Sequence, residues 1–91
     1  MLDAVKRALY LTTDAYDEEI LDLIAAAKLD LEIAGVKGYD EGDPLVLQAI
    51  KTYCRAHFKS PDDYDKLSAA YDAQKGQLQI ATGYTDWGDQ A

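Results

Sequence analysis

The sequence predicts an all-α fold: a small bundle of about four helices, one short, one long and two of medium length, followed by an extended C-terminal tail. Two observations predict it. Apolar residues recur at three- and four-residue steps through four separate segments, the spacing that lines one face of an α-helix. Between those segments stand residues that start or stop helices, above all Gly35, Asp43-Pro44 and Ser60-Pro61. The division that follows is one helical domain over residues 1–79 and a tail or docking arm over residues 80–91.

The first helix is expected over residues 2–11, where Leu2, Val5, Ala8 and Leu9 share a face. A helix this short needs docking to persist. Thr12-Thr13-Asp14 then supplies cap chemistry, and Asp17, Glu18 and Glu19 place negative charge in a first turn, where it opposes the helix dipole favourably. The long helix begins there, with Ile20, Leu23, Ile24, Ala27, Leu31 and Ala34 as its inner stripe and Asp22, Lys28, Asp30 and Glu32 mainly off it. It stops at Gly35, a residue free to adopt the left-handed conformation, with Val36 folding back on the last turn.

After an acidic loop, Asp43 caps the third helix and Pro44 occupies its first position, where the missing N–H costs nothing. Val46, Ala49, Ile50, Tyr53, Cys54, His57 and Phe58 make its core-facing stripe, leaving Gln48, Lys51, Thr52, Arg55 and Lys59 for solvent or a partner. Ser60-Pro61 ends it. Asp62 or Asp63 caps the fourth helix, which runs from about Tyr64 to Leu78 with Leu67, Ala70, Tyr71, Gln74 and Leu78 along one side. Gly76 leaves its end open. The segment from Gln79 to Ala91 carries Ile80, Tyr84 and Trp87 among glycines and small polar residues, which suits an arm that docks on something.

Ninety-one residues at 48% hydrophobic content suffice for one core only. A chain of that size buries about 60–65% of its unfolded surface, so a partner surface would add needed stability. The net charge of −8, from 17 acidic against 9 basic residues, opposes binding to duplex DNA or to an anionic membrane. It permits a basic protein partner, or a surface along which DNA slides without sticking. Cys54 is the single cysteine, which rules out an intrachain disulfide and fits a reducing cytoplasm. The N-terminus lacks the basic and apolar regions of a signal peptide, and no apolar run reaches the length of a membrane span.

Chemistry is sparse. His57 is the only histidine, three residues after Cys54 on the same face, but a nucleophilic pair would need a third orienting group and oxyanion donors that the pattern does not supply. Packing of a small Cys and an amphipathic His accounts for both residues. The acidic stretches at 40–43 and 62–65 do not match the twelve-residue calcium loop, and capping explains Asp43 and Asp62 more simply. No phosphate-cradling glycine motif is present. We therefore expect no enzyme, no cofactor and no metal. Seven tyrosines and one tryptophan exceed what a minimal core needs; Tyr10, Tyr16, Tyr53, Tyr64 and Tyr71 either cover the edges of a thin bundle or serve an interface.

The order of elements, with Thr13-Asp14-Ala15-Tyr16-Asp17-Glu18-Glu19-Ile20 opening the long helix, Asp43-Pro44 opening the next, and Ala49-Ile50-Lys51-Thr52-Tyr53 within it, resembles the small head-tail connector proteins of tailed phages and prophages, also labelled head-completion or DNA-packaging proteins. The resemblance covers about residues 2 to 80. It implies a structural virion protein at the neck, made in the host cytoplasm. Its subunits would form a homo-oligomeric ring of roughly a dozen copies below the portal protein. Such a ring helps retain packaged DNA, passes it through the lumen without specific binding, and offers a docking surface to neck and tail-completion proteins. Leu21 and Ala25, on a second side of the long helix, and Tyr84 and Trp87 in the tail are the expected protein contacts. The alternative is a small acidic helical module that occupies a basic partner's nucleic-acid site.

Overall fold

The computed structural model describes residues 1–40, 42–59 and 61–80. They form four helices, α1 (Leu2–Ala8), α2 (Asp17–Ile33), α3 (Pro44–His57) and α4 (Tyr64–Ile80), with no β-strand among the described residues. The all-α expectation holds. α3 is the central element: it packs along α4 and also against α2 and α1, while α1 bridges α2 and α3.

Each boundary has a local cause. α1 ends earlier than expected because Tyr10 takes the left-handed conformation (φ 59°): its N–H donates to the Arg7 carbonyl (3.1 Å) and the Leu11 N–H to that of Lys6 (2.9 Å). That pair of bonds is a Schellman motif. α2 ends the same way at Gly35 (φ 92°), with the Gly35 N–H on Glu32 (2.9 Å), the Val36 N–H on Leu31 (2.9 Å), and the Val36 side chain fully buried. At the start of α2 the expected cap chemistry is spent elsewhere. The N-cap is Tyr16, without a side-chain cap bond; Thr13 Oγ1 accepts from the Ala15 N–H (3.2 Å), and the Asp14 carboxylate turns to Lys6 (2.7 Å). α3 begins as predicted, Asp43 Oδ1 accepting from the N–H groups of Leu45 (2.9 Å) and Val46 (3.3 Å), with Pro44 at the first position. α4 passes through Gly76 and continues to Ile80.

The core draws Val5 from α1, Ile20, Ile24 and Leu31 from α2, Val46, Ile50 and Cys54 from α3, and Tyr71 and Leu78 from α4. Each fully buried aliphatic side chain contributes about 1.5–3 kcal/mol of transfer free energy. Three expectations need correction. Thr52, assigned to solvent, is buried, its hydroxyl satisfied by the Gln48 carbonyl one turn back (3.0 Å). His57, assigned to the core, is exposed at the end of α3, where its ring lies beside those of Tyr53 and Tyr64. Ala70 lies outside, because the buried face of α4 follows Leu67, Tyr71 and Leu78.

Two substitutions separate these local causes in a thermal melt. Gly76 sits inside α4, and a Cβ built there meets nothing within 4 Å. Gly76→Ala should therefore stabilise the chain by about 0.5–1 kcal/mol. Asp43→Ala should destabilise it by about 1 kcal/mol, since two N–H groups at the start of α3 lose their acceptor.

Candidate functional site

The clearest feature that could engage another molecule is a surface on α2. Ile20, Ile24, Ala27 and Leu31 face the core, whereas Leu21 (48% exposed), Ala25, Leu29 (56%) and Ile33 (77%) face outward. The second set recurs every four residues, which traces a ridge about 18 Å long. Exposed carboxylates of Glu18, Asp22 and Glu32 flank it. Leu21 and Ala25 were expected on this side. Leu29 and Ile33 were missed, although stepping by four from Leu21 would have reached both.

Beside this ridge, α2 meets α4 through polar groups. Tyr71 Oη donates to Asp30 Oδ2 (2.5 Å), Lys75 Nζ reaches the same oxygen (3.1 Å), and Gln79 Nε2 donates to the Ala34 carbonyl (2.9 Å). Burial alone would raise the Asp30 carboxyl, but the bonds from Tyr71 and Lys75 and the charge of Lys75 carry it below its usual value. Burial and the Asp30 bond push the Tyr71 phenol upward. At the other end of α2, Lys6 joins Asp14 (2.7 Å) and Asp17 (3.0 Å), and those two hydrogen bonds raise its ammonium above the usual range. These ties fix the helices whose outer faces form the surface.

Aromatic residues cluster at the far end of α3. Tyr53 and His57 lie tilted against each other with centroids 4.3 Å apart, His57 meets Tyr64 edge to face at 5.8 Å, and Tyr53 meets Tyr71 edge to face at 5.2 Å. Tyr16 meets Phe58 edge to face (5.5 Å), and Lys59 Nζ lies 3.9 Å over the Tyr16 ring while donating to its hydroxyl (2.8 Å). Four of the five tyrosines left open between packing and interface therefore pack within the chain. Tyr10 does not: it is 91% exposed.

Cys54 and His57 are not joined. Cys54 is fully buried, desolvation pushes its thiol up to about 12, and no hydrogen bond links it to the exposed His57. A thiol held so far above neutral pH is not a nucleophile. No group of three or more His, Cys, Asp or Glu side chains among the described residues is placed to hold a metal ion. No helix among them is long and apolar enough to cross a membrane. Tyr84 and Trp87 lie outside the described residues.

The Asp30 cluster gives a pH signature. A carboxyl with a depressed folded pKa adds stability above its unfolded value, near 3.8, and that stability is lost as pH falls through the folded value. Asp30→Asn should cost about 1 kcal/mol at pH 7, discounted for partial exposure. In melts repeated across acid pH, the gap between parent and variant should close below about 3.8.

Comparison with known proteins adds one positive finding. The model of a family described as phage connector protein matches residues 1–85. No curated protein and no solved structure matches the chain.

Proposed function

The chain belongs to the phage connector protein family, and from that premise we propose that it closes into a ring of roughly a dozen copies below the portal protein, at the neck of the virion. The ring would help retain packaged DNA and present a docking surface to neck and tail-completion proteins. The observation that carries this reading is the outward ridge of Leu21, Ala25, Leu29 and Ile33, an apolar face that the chain's own helices leave uncovered. Contiguous exposed apolar surface on a small protein marks an interaction site. A subunit whose marginal core gains from neighbours suits an obligate assembly.

Charge supports the passage of DNA. The chain carries −8 overall, and Glu18, Glu19 and Asp22 stand exposed on the first turns of α2. Carboxylates facing a channel repel the phosphate backbone and keep it mobile. Residues 80–91, with Tyr84 and Trp87, serve in this reading as an arm that meets the next protein in the neck.

Native mass resolves the proposal. Light scattering on a size-exclusion column, over a concentration series at low and moderate salt, with and without the cognate portal, should reveal a discrete ring-sized species. Leu21→Asp and Leu29→Asp should leave the melting temperature nearly unchanged, because both side chains already face water, and should abolish that species. A chain that remains monomeric or dimeric in every condition, portal included, would sink the ring and favour the acidic binding module.

A further inference from the structure

Tyr10 occupies a position where glycine is the usual residue. It is the left-handed C′ residue of the Schellman motif that ends α1 (φ 59°), and its side chain is 91% exposed. Left-handed backbone is costly for a bulky side chain, and with the ring 91% exposed the described residues offer little packing to offset that cost. The ring projects from a shallow depression that it shares with Arg55 and Phe58 of the α3 end and with Asp63 and Leu67. Among the described residues, neither Arg7 nor Arg55 takes part in an ion pair.

At the opposite end of α3 lies a hole. Leu45, Gln48, Gln74, Gln77 and Leu78 line a pocket of about 140 Å³ between the start of α3 and the last turns of α4. A cavity of about 150 Å³ accepts a benzene ring. Gln74, one of the lining residues, has its Oε1 buried without a hydrogen-bond partner, so a small turn of the side chain would bring the amide to an incoming donor. A phenol hydroxyl both donates and accepts, so it satisfies that amide in either orientation. The turn that opens α3 beside the pocket carries Asp40 and Asp43, opposite in sign to the arginines around Tyr10.

We propose that Tyr10 of one subunit inserts its ring into the Leu45–Gln74–Leu78 pocket of a second copy of this chain, its hydroxyl bonding Gln74, with Arg7 and Arg55 facing the acidic turn. This inference rests on the ring reading and names a contact within it. Knob and hole sit about 15 Å apart along α3, from the rise between Leu45 and Arg55. They are different surfaces, so the contact is head-to-tail and leaves the first copy a free hole and the second a free knob, the condition for closing a ring.

The test mixes two full-length variants, Tyr10→Cys and Gln77→Cys, under oxidising conditions at concentrations where the parent associates, on the portal if it associates only there; buried Cys54 stays out of reach. Expected are disulfide-linked pairs containing one chain of each kind, and a ladder of linked species from the double variant. Tyr10→Gly should associate at least about tenfold more weakly while melting no lower than the parent. Ring-sized species without mixed cross-links, formed equally well by Tyr10→Gly, overturn this contact and leave the ring reading standing. Association abolished by Trp87→Ala but indifferent to Tyr10→Gly makes the tail the occupant and likewise overturns it. Monomers in every condition, with no cross-link, overturn both.

Discussion

Everything else in the structure depends on α3 being enclosed by the other three helices. Its buried residues, Val46, Ala49, Ile50, Thr52, Cys54 and Ala56, sweep an arc of about 200° at 100° per residue, twice the stripe of an ordinary surface helix. Small side chains at 49, 52, 54 and 56 let neighbouring helices approach closely on that arc. The one polar atom they bring, the Thr52 hydroxyl, is satisfied within its own helix. Only Gln48, Lys51 and Arg55 are left to face outward along the middle of the helix.

Once α3 holds the centre, α2 can bury only one side against the chain. It nevertheless carries apolar residues on two, the inner Ile20, Ile24, Ala27 and Leu31 and the outer Leu21, Ala25, Leu29 and Ile33. A helix apolar on more than one side normally has neighbours on more than one side. The chain provides the first, and the family to which it belongs, that of phage connectors, is one whose members meet other phage structural proteins. The polar tie of Asp30 to Tyr71 and Lys75 reinforces this division, because it holds α4 against α2 through charge-assisted bonds instead of apolar surface.

Local backbone devices set the ends of the helices and with them the surfaces on offer. The same Schellman arrangement closes α1 and α2, but glycine fills the left-handed position in one and tyrosine in the other. The difference matters for function: Gly35 lets Val36 turn inward to the core, whereas Tyr10 throws an aromatic ring into solvent at the end of the molecule.

The sequence by itself determined the fold class, the number and order of helices, the capped start of α3 at Asp43-Pro44 and the Gly35 stop, because these rest on periodicity and on contacts within one turn of the chain. It also carried the family resemblance, which the match over residues 1–85 bears out. Tertiary structure alone decided which sides of each helix are covered. Thr52 reads as solvent-facing on a single stripe, and is buried because α3 has three neighbours; His57 reads as core, and is exposed because α3 ends there. Leu29 and Ile33 share the four-residue step of Leu21 and Ala25 in sequence, but the placement of the other helices decides that this side of α2 is the one left outside. Tyr10 carries no local mark of its left-handed backbone, since that conformation is imposed by where α1 must stop to let the chain turn toward α2. Periodicity says that a helix has an apolar side, but the burial that stabilises it is a property of the neighbours, and those are fixed only when the whole chain has packed.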